Sequence, residues 1–179
     1  MEAKHPTAQD LERAIKIILT NYDDISREGL IDSPARILRA WDELLKADEP
    51  KITVFDSLGY DGLIVDKNIK FYSFCEHHFL PFFGIVKIGY IPDKKIIGLS
   101  KLSRIVNYYS KRLNTQEYLT NNIAHYLLDK VGAKGVGVEI TARHLCKEMR
   151  GAKSDSEMIT TCFLGSFECP DTQRQFLAL

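Results

Sequence analysis

The sequence predicts an α+β chain. Apolar residues recur at helical spacing near the N-terminus and again across residues 100–131, while short β-rich segments fill 50–92 and 136–167. With 179 residues, 45% of them hydrophobic, the chain can bury a sizeable core as one domain. The expected division is an N-terminal helical region over 1–50 and a single α+β domain over 51–179.

The elements follow in order. From Ala8 to Tyr22, Leu11, Ile15, Ile18 and Leu19 form an apolar stripe with charges between them, which predicts an amphipathic helix. A second helix begins at Asp32-Ser33-Pro34, a capping residue with proline in the first turn, and runs through Ile37, Leu38, Trp41, Leu44 and Leu45. Strands are expected at Ile52–Phe55, Leu63–Val65, Ile69–Cys75 and Gly84–Ile91. Between the last two, Phe79-Leu80-Pro81-Phe82-Phe83-Gly84 reads as a turn that shields its surroundings from water. Helices are expected at Ser100–Arg112, with Lys101 and Arg104 on one face, and at about Thr115–Val131, broken by Gly132 and Gly135. Val136, Val138, Ile140 and Ala142 alternate with Gly137, Glu139, Thr141 and Arg143, the period of a half-buried strand. His144 and Cys146 continue one parity, so an extended backbone would aim both at the same side. Met158–Phe167 reads as a last strand and Thr172–Leu179 as a terminal helix.

Charge and targeting exclude several classes. Lys and Arg total 24, balanced by 24 Asp and Glu, which argues against a general nucleic-acid or anionic-membrane binder. The first residues, Met1-Glu2-Ala3-Lys4-His5-Pro6, lack an apolar signal core, and no apolar run approaches membrane-spanning length. A soluble, cytoplasmic protein is expected. Four cysteines in such a chain fit metal binding and free thiols better than a disulfide framework.

Chemistry concentrates in two short segments, Cys75-Glu76-His77-His78 and His144-Leu145-Cys146, which hold three of the five histidines and two of the four cysteines. Cys75 and His78 form a C-x-x-H pair, and Cys146 offers a third ligand of matching softness. Three protein ligands are the count of a catalytic zinc site, which keeps its fourth position for water, whereas structural sites close with four. His77 and His144 are then left beside the ligands, where imidazoles serve as proton donors and acceptors. Cys162 and Cys169 have no histidine nearby and read as small buried apolar residues or an exposed thiol. His125, inside a helical run, reads as a packing residue, and His5 as solvated.

Taken with their neighbours, these segments resemble the GTP cyclohydrolase I family. The resemblance rests on Cys75-Glu76-His77-His78 with Leu80-Pro81-Phe82-Phe83-Gly84, then Tyr90-Ile91-Pro92, Ile97-Gly98-Leu99-Ser100-Lys101-Leu102, Arg104-Ile105-Val106, Gln116-Glu117, His144-Leu145-Cys146 and Arg150-Gly151. Upstream, Arg27-Glu28-Gly29-Leu30-Ile31-Asp32-Ser33-Pro34-Ala35-Arg36 also resembles the family's N-terminal helical signature.

Membership would imply a tunnelling fold, a four-stranded antiparallel sheet with two antiparallel helices, preceded by N-terminal helices. It would also imply pentameric barrels, typically stacked as a homodecamer, with active sites at subunit interfaces. The implied reaction opens the guanine imidazole ring of GTP after water adds at carbon 8, releases formate, and rearranges the ribose carbons to give 7,8-dihydroneopterin triphosphate. The resemblance implies zinc on Cys75, His78 and Cys146, with His77 and His144 catalytic. It implies Glu117 as the carboxylate that receives guanine N–H groups, with Gln116 beside it as a second substrate-binding residue. Lys101, Arg104 and Arg150 would surround the triphosphate, with Ser100 as a hydroxyl donor.

Three departures stand out. Ala152-Lys153-Ser154-Asp155-Ser156-Glu157-Met158 is acidic where many relatives carry Lys, Pro and Gly. Asn114-Thr115-Gln116-Glu117-Tyr118 and Arg174-Gln175-Phe176-Leu177 also differ from the usual patterns, and none of the three removes a candidate ligand or histidine. Competing readings are a pterin synthase or zinc-free nitrile reductase on the same fold, and a catalytically silent regulatory or zinc-storage protein. The third metal ligand argues against the reductase, and the retained His77, His144 and Glu117 argue against storage.

Overall fold

Helix α1 (Ala8–Thr20) starts where a threonine can satisfy its free amides. Thr7 Oγ1 accepts from Asp10 N at 3.2 Å while Asp10 Oδ2 accepts from Thr7 N at 2.9 Å, a reciprocal capping box. Helix α2 (Ser33–Leu45) carries Pro34 in its first turn, but Asp32 is not the cap its position suggests. Asp32 is already helical, with φ −90° and ψ −2°, and its carboxylate pairs with Arg36 at 3.2 Å. The two helices pack on each other, and of the predicted α1 stripe only Ile15 is buried.

The computed structural model describes residues 5–179 and falls into two compact units, one ending at Lys46 and one beginning at Ala47. In the second unit β1 (Val54–Asp56) pairs antiparallel with β4 (Lys95–Ile97) as a small ribbon. The main sheet runs β5 (Leu113–Asn114), β2 (Ile64–Cys75), β3 (Pro81–Ile91), β6 (Gly135–His144), β7 (Met158–Gly165). The last four are antiparallel neighbours, whereas β5 lies parallel to the end of β2. Helices α3 (Leu99–Ser110) and α4 (Gln116–Val131) pack on the sheet and on each other. Thr115 caps α4, its hydroxyl accepting from Tyr118 N at 3.1 Å, and Gly132 ends it in a left-handed conformation. A single turn α5 (Leu145–Glu148), a 3₁₀ turn at Ser166–Glu168 and α6 (Pro170–Ala178) complete the chain.

The core lies between helices and sheet. Phe82, Val86 and Ile88 on β3 and Val136, Val138 and Ile140 on β6 share one face by period-two alternation, and they meet Leu102, Ile105 and Val106 of α3 and Leu119, Ile123 and Leu127 of α4. On the reverse face Phe163, Phe167 and Phe176 stack against a place where the sheet has no side chains. Gly89 and Gly137 are cross-strand partners, and a Cβ on Gly137 would lie 2.4 Å from the Phe167 ring, one on Gly89 2.7 Å from Phe176.

Several boundaries differ from the sequence reading. The strands expected at 63–65 and 69–75 are one strand, continuous through a bulge between Asp66 and Ile69 where Asn68 takes φ 64°. Pro81 opens β3, the first-residue position a proline tolerates in a sheet, so Pro81–Gly84 is strand and the turn spans only Glu76–Leu80. The extended backbone expected through Cys146 stops at His144, and Cys146 sits on α5. The last strand ends at Gly165, two residues early. His125 faces solvent on α4 and does not pack, His5 is exposed, Cys162 is half-buried and Cys169 exposed. Among the described residues no helix is long and apolar enough to cross a membrane.

Candidate functional site

Cys75 ends β2, and the backbone closes the loop behind it. Cys75 N donates to Leu80 O at 2.9 Å and Phe79 N donates to Cys75 O at 2.9 Å, with Phe79 held at φ 54°. Glu76 N donates to Asn114 O at 3.1 Å, tying the loop to β5. This tight return presents His77 and His78, each with Nδ1 3.7 Å from Cys75 Sγ. Cys146 arrives from α5, beyond the end of β6. One ligand atom from each of Cys75, His78 and Cys146 lies within 4.8 Å of the others, a group that could hold a metal ion. Two thiolates and an imidazole are a donor set suited to zinc, and three ligands leave one position for an exogenous group.

The two remaining histidines are held differently. His77 is exposed, with Nε2 3.9 Å from Glu76 Oε1. His144 is half-buried; β3 and β6 pair Phe82 with His144, and the rings lie parallel at 3° with centroids 4.6 Å apart. Burial and, next, the Lys147 charge push the His144 imidazole below its usual range, opposed by Glu117. Burial, then the neighbouring Cys75 thiol, pushes the Cys146 thiol up, opposed in part by Arg150.

The other predicted residues fall in two groups. Glu117, in the first turn of α4, is exposed and lines a cleft of about 320 Å³ with Thr120, Asn121, Thr160, Thr161 and Cys162. Its charge is felt at His144, and so is that of Lys147. Arg150 follows α5 and is exposed, its charge felt at Cys146. Ser100, Lys101 and Arg104 occupy the first two turns of α3, and no described hydrogen bond or ion pair joins them to the Cys–His–Cys group. Gln116 differs from all of these, being 1% exposed. The divergent acidic segment is latched to α5, because Lys147 Nζ donates to Ser156 O at 2.9 Å and Oγ at 2.6 Å, and Ser154 N donates to Lys147 O at 3.2 Å. Sequence reasoning missed this Lys147 contact and the Phe82 stack; the β6 alternation put His144 on the face it uses, but Phe82 was expected in a turn and lies on β3.

The family model described as GTP cyclohydrolase I matches residues 11–179. The chain belongs to this family. The GTP cyclohydrolase 1 of Sulfurihydrogenibium sp. is 45% identical over 173 residues, 94% of this chain and 92% of the relative. That of Wolinella succinogenes is 47% identical over 152 residues, covering 82% and 81%. That of Saccharomyces cerevisiae is 42% identical over 187 residues, covering 99% and 76%. Among solved structures, archaeosine synthase QueF-Like in its apo form aligns with TM-score 0.49 and 17% identity, over 57% of this chain and 93% of that one. The four antiparallel strands with α3 and α4, preceded by α1 and α2, are the α+β tunnelling-fold architecture that family membership implies.

Proposed function

We propose that this chain is a zinc-dependent GTP cyclohydrolase I, converting GTP to 7,8-dihydroneopterin triphosphate and formate at the start of pterin and tetrahydrofolate biosynthesis. The observation that carries the reading is the convergence of Cys75, His78 and Cys146 beside His144 and Glu117, in a chain of this family over nearly its whole length. Zinc held by these three residues would supply Lewis acidity and lower the pKa of a bound water towards neutral.

The chain's own residues bind, orient and move protons. Glu117, with two acceptor oxygens beside the cleft, receives guanine N–H groups in parallel. Ser100, Lys101 and Arg104 hold the triphosphate at the first turns of α3, where backbone amides and the helix dipole favour anions, and Arg150 adds charge from the α5 side. His77 and His144 carry the separate protons that ring opening and ribose rearrangement need. Phe82 excludes water from one face of His144.

These roles belong to the 51–179 region, with 1–50 as a helical appendage. A homo-oligomer, a pentameric barrel stacked as a decamer with sites between subunits, is supported by two open sheet edges. Among the described residues only Phe74 and Cys75 of β2 meet β5, and β7 has a neighbour on one side alone. Exposed Tyr72 and Ile159 lie on those edge strands. A cytoplasmic location agrees with four free cysteines, and the balanced charge favours neither nucleic acid nor membrane as a partner. Incubation with GTP should yield a pterin that fluoresces after oxidation, together with about one zinc per subunit. Absence of pterin from zinc-loaded protein would overturn the reading.

A further inference from the structure

Gln116 lies in the first turn of α4 and is buried against two strands. Its Nε2 lies 3.0 Å from Ile140 O, 3.0 Å from Met158 O and 3.1 Å from Thr160 Oγ1. The two carbonyls, on β6 and β7, can only accept, so the amide nitrogen must face them. A flipped amide would set Oε1 against both oxygens with no proton between, a buried mismatch of the costly kind. The carboxamide orientation is therefore dictated by the backbone of two strands.

That orientation turns Oε1 towards His144, whose Nε2 lies 2.8 Å away. An amide oxygen has no proton to give, so His144 Nε2 carries one. A neutral imidazole has one donor and one acceptor nitrogen, and the bond made by one fixes the role of the other. Nδ1 is left bare. The parallel Phe82 ring fixes the imidazole plane at the same time. Thr120 Oγ1, 2.7 Å from Thr160 Oγ1 and 2.7 Å from Gln116 O, closes the network around the amide.

We propose that Gln116 is a positioning residue that holds His144 as its Nε2–H tautomer, making Nδ1 the nitrogen through which this histidine exchanges protons with substrate. This rests on the reading of His144 as a proton carrier in GTP hydrolysis, and assigns the working atom. In this role Gln116 acts on the reaction through His144.

The test uses the zinc-loaded full chain. Nitrogen-15 NMR of the histidine rings at mildly alkaline pH, where a free imidazole is neutral, should show His144 protonated at Nε2 and bare at Nδ1. The opposite tautomer would overturn the proposal, and the wild-type spectrum decides this even if a variant of so buried a residue fails to fold. Gln116→Met, similar in volume and without the amide, should lower kcat about 10–100-fold, the scale seen for partners that orient site histidines, while KM for GTP changes only a few-fold. Unchanged kcat per folded site would reduce Gln116 to a link between α4 and the two strands. A wild-type chain that does not turn over GTP would overturn the function itself, a result the tautomer measurement does not share.

Discussion

Where β2 and β6 end, Cys75, His78, Cys146 and His144 converge, and His144 is oriented by a directed hydrogen bond with Gln116. On the reverse face Phe163, Phe167 and Phe176 fill the hollow left by Gly89 and Gly137, where the fit of the rings is the main requirement. The polar corner is assembled from five short pieces: the end of β2, its following loop, the first turn of α4, the end of β6 and the single turn α5. The aromatic cap comes from one continuous stretch, β7 to α6, laid over two adjacent strands. Substitutions at the corner should therefore remove activity and leave the fold, whereas substitutions in the cap should do the reverse.

The largest effect expected is at the metal ligands. Cys146→Ser should lose most of the bound zinc and GTP turnover together, measured by elemental analysis and the pterin assay, while thermal unfolding remains cooperative. Full turnover by metal-stripped protein would break the comparison at its root. Next come the free histidines: His77→Ala and His144→Ala should keep zinc but turn over GTP roughly 10²–10⁴-fold more slowly, the cost of losing a positioned acid or base. Mass spectrometry during GTP incubation should then find a ring-opened formamide, since opening and rearrangement need separate proton transfers. Near-native pterin formation in both variants would make these histidines structural.

In the cap the effect moves to stability. Phe176→Ala, at a fully buried ring, should cost about 3–5 kcal/mol in urea unfolding, with zinc content per folded subunit unchanged. Gly137→Ala should cost about 1–3 kcal/mol by overpacking against Phe167. A loss of zinc in either folded variant would show that the two faces are coupled.

The smallest effect tests a contact far from both. Tyr126 Oη donates to Glu49 Oε1 at 2.9 Å, and burial followed by this bond holds the phenol well above its usual range. Folding thus favours protonated Tyr126, so its contribution is complete below the unfolded pKa of about 10 and is lost as pH rises through the higher folded value. Tyr126→Phe should cost about 1 kcal/mol at neutral pH, and less than that in strong alkali. A constant difference across that range would remove Tyr126 from the alkaline titration.

Much of the polar corner was legible in the chain because ligand chemistry is carried by residue type. Cys75 with His78, and Cys146 with His144, stand out as Cys and His a few residues apart in two short segments, whatever backbone bears them. Their backbone was less legible: His144 and Cys146 were expected on one extended strand, but the chain turns at Leu145, and a four-residue helix leaves no periodicity to detect. Gln116 carried no signal of burial, since a glutamine beside a glutamate at a helix start looks solvated until β6 and β7 supply the carbonyls. The bulge at Asn68 was hidden for a similar reason, because one polar residue in a left-handed conformation reads as a loop between two strands. The alternation of β6 was readable because Val136, Val138, Ile140 and Ala142 share one buried face, whereas β3 showed only as a β-rich run and its first residues were hidden by Pro81.

The order of strands has a kinetic consequence. Cys75 and His78 come from the end of β2 and Cys146 from beyond β6, and β3 lies between those two strands in the sheet. The distant thiol can meet the C-x-x-H pair only after β2 has paired with β3 and β3 with β6, a loop closure that a disordered chain makes at substantial entropic cost. Uptake of the proposed zinc is therefore expected late in refolding, and its time course should report the moment at which the central three strands are in register.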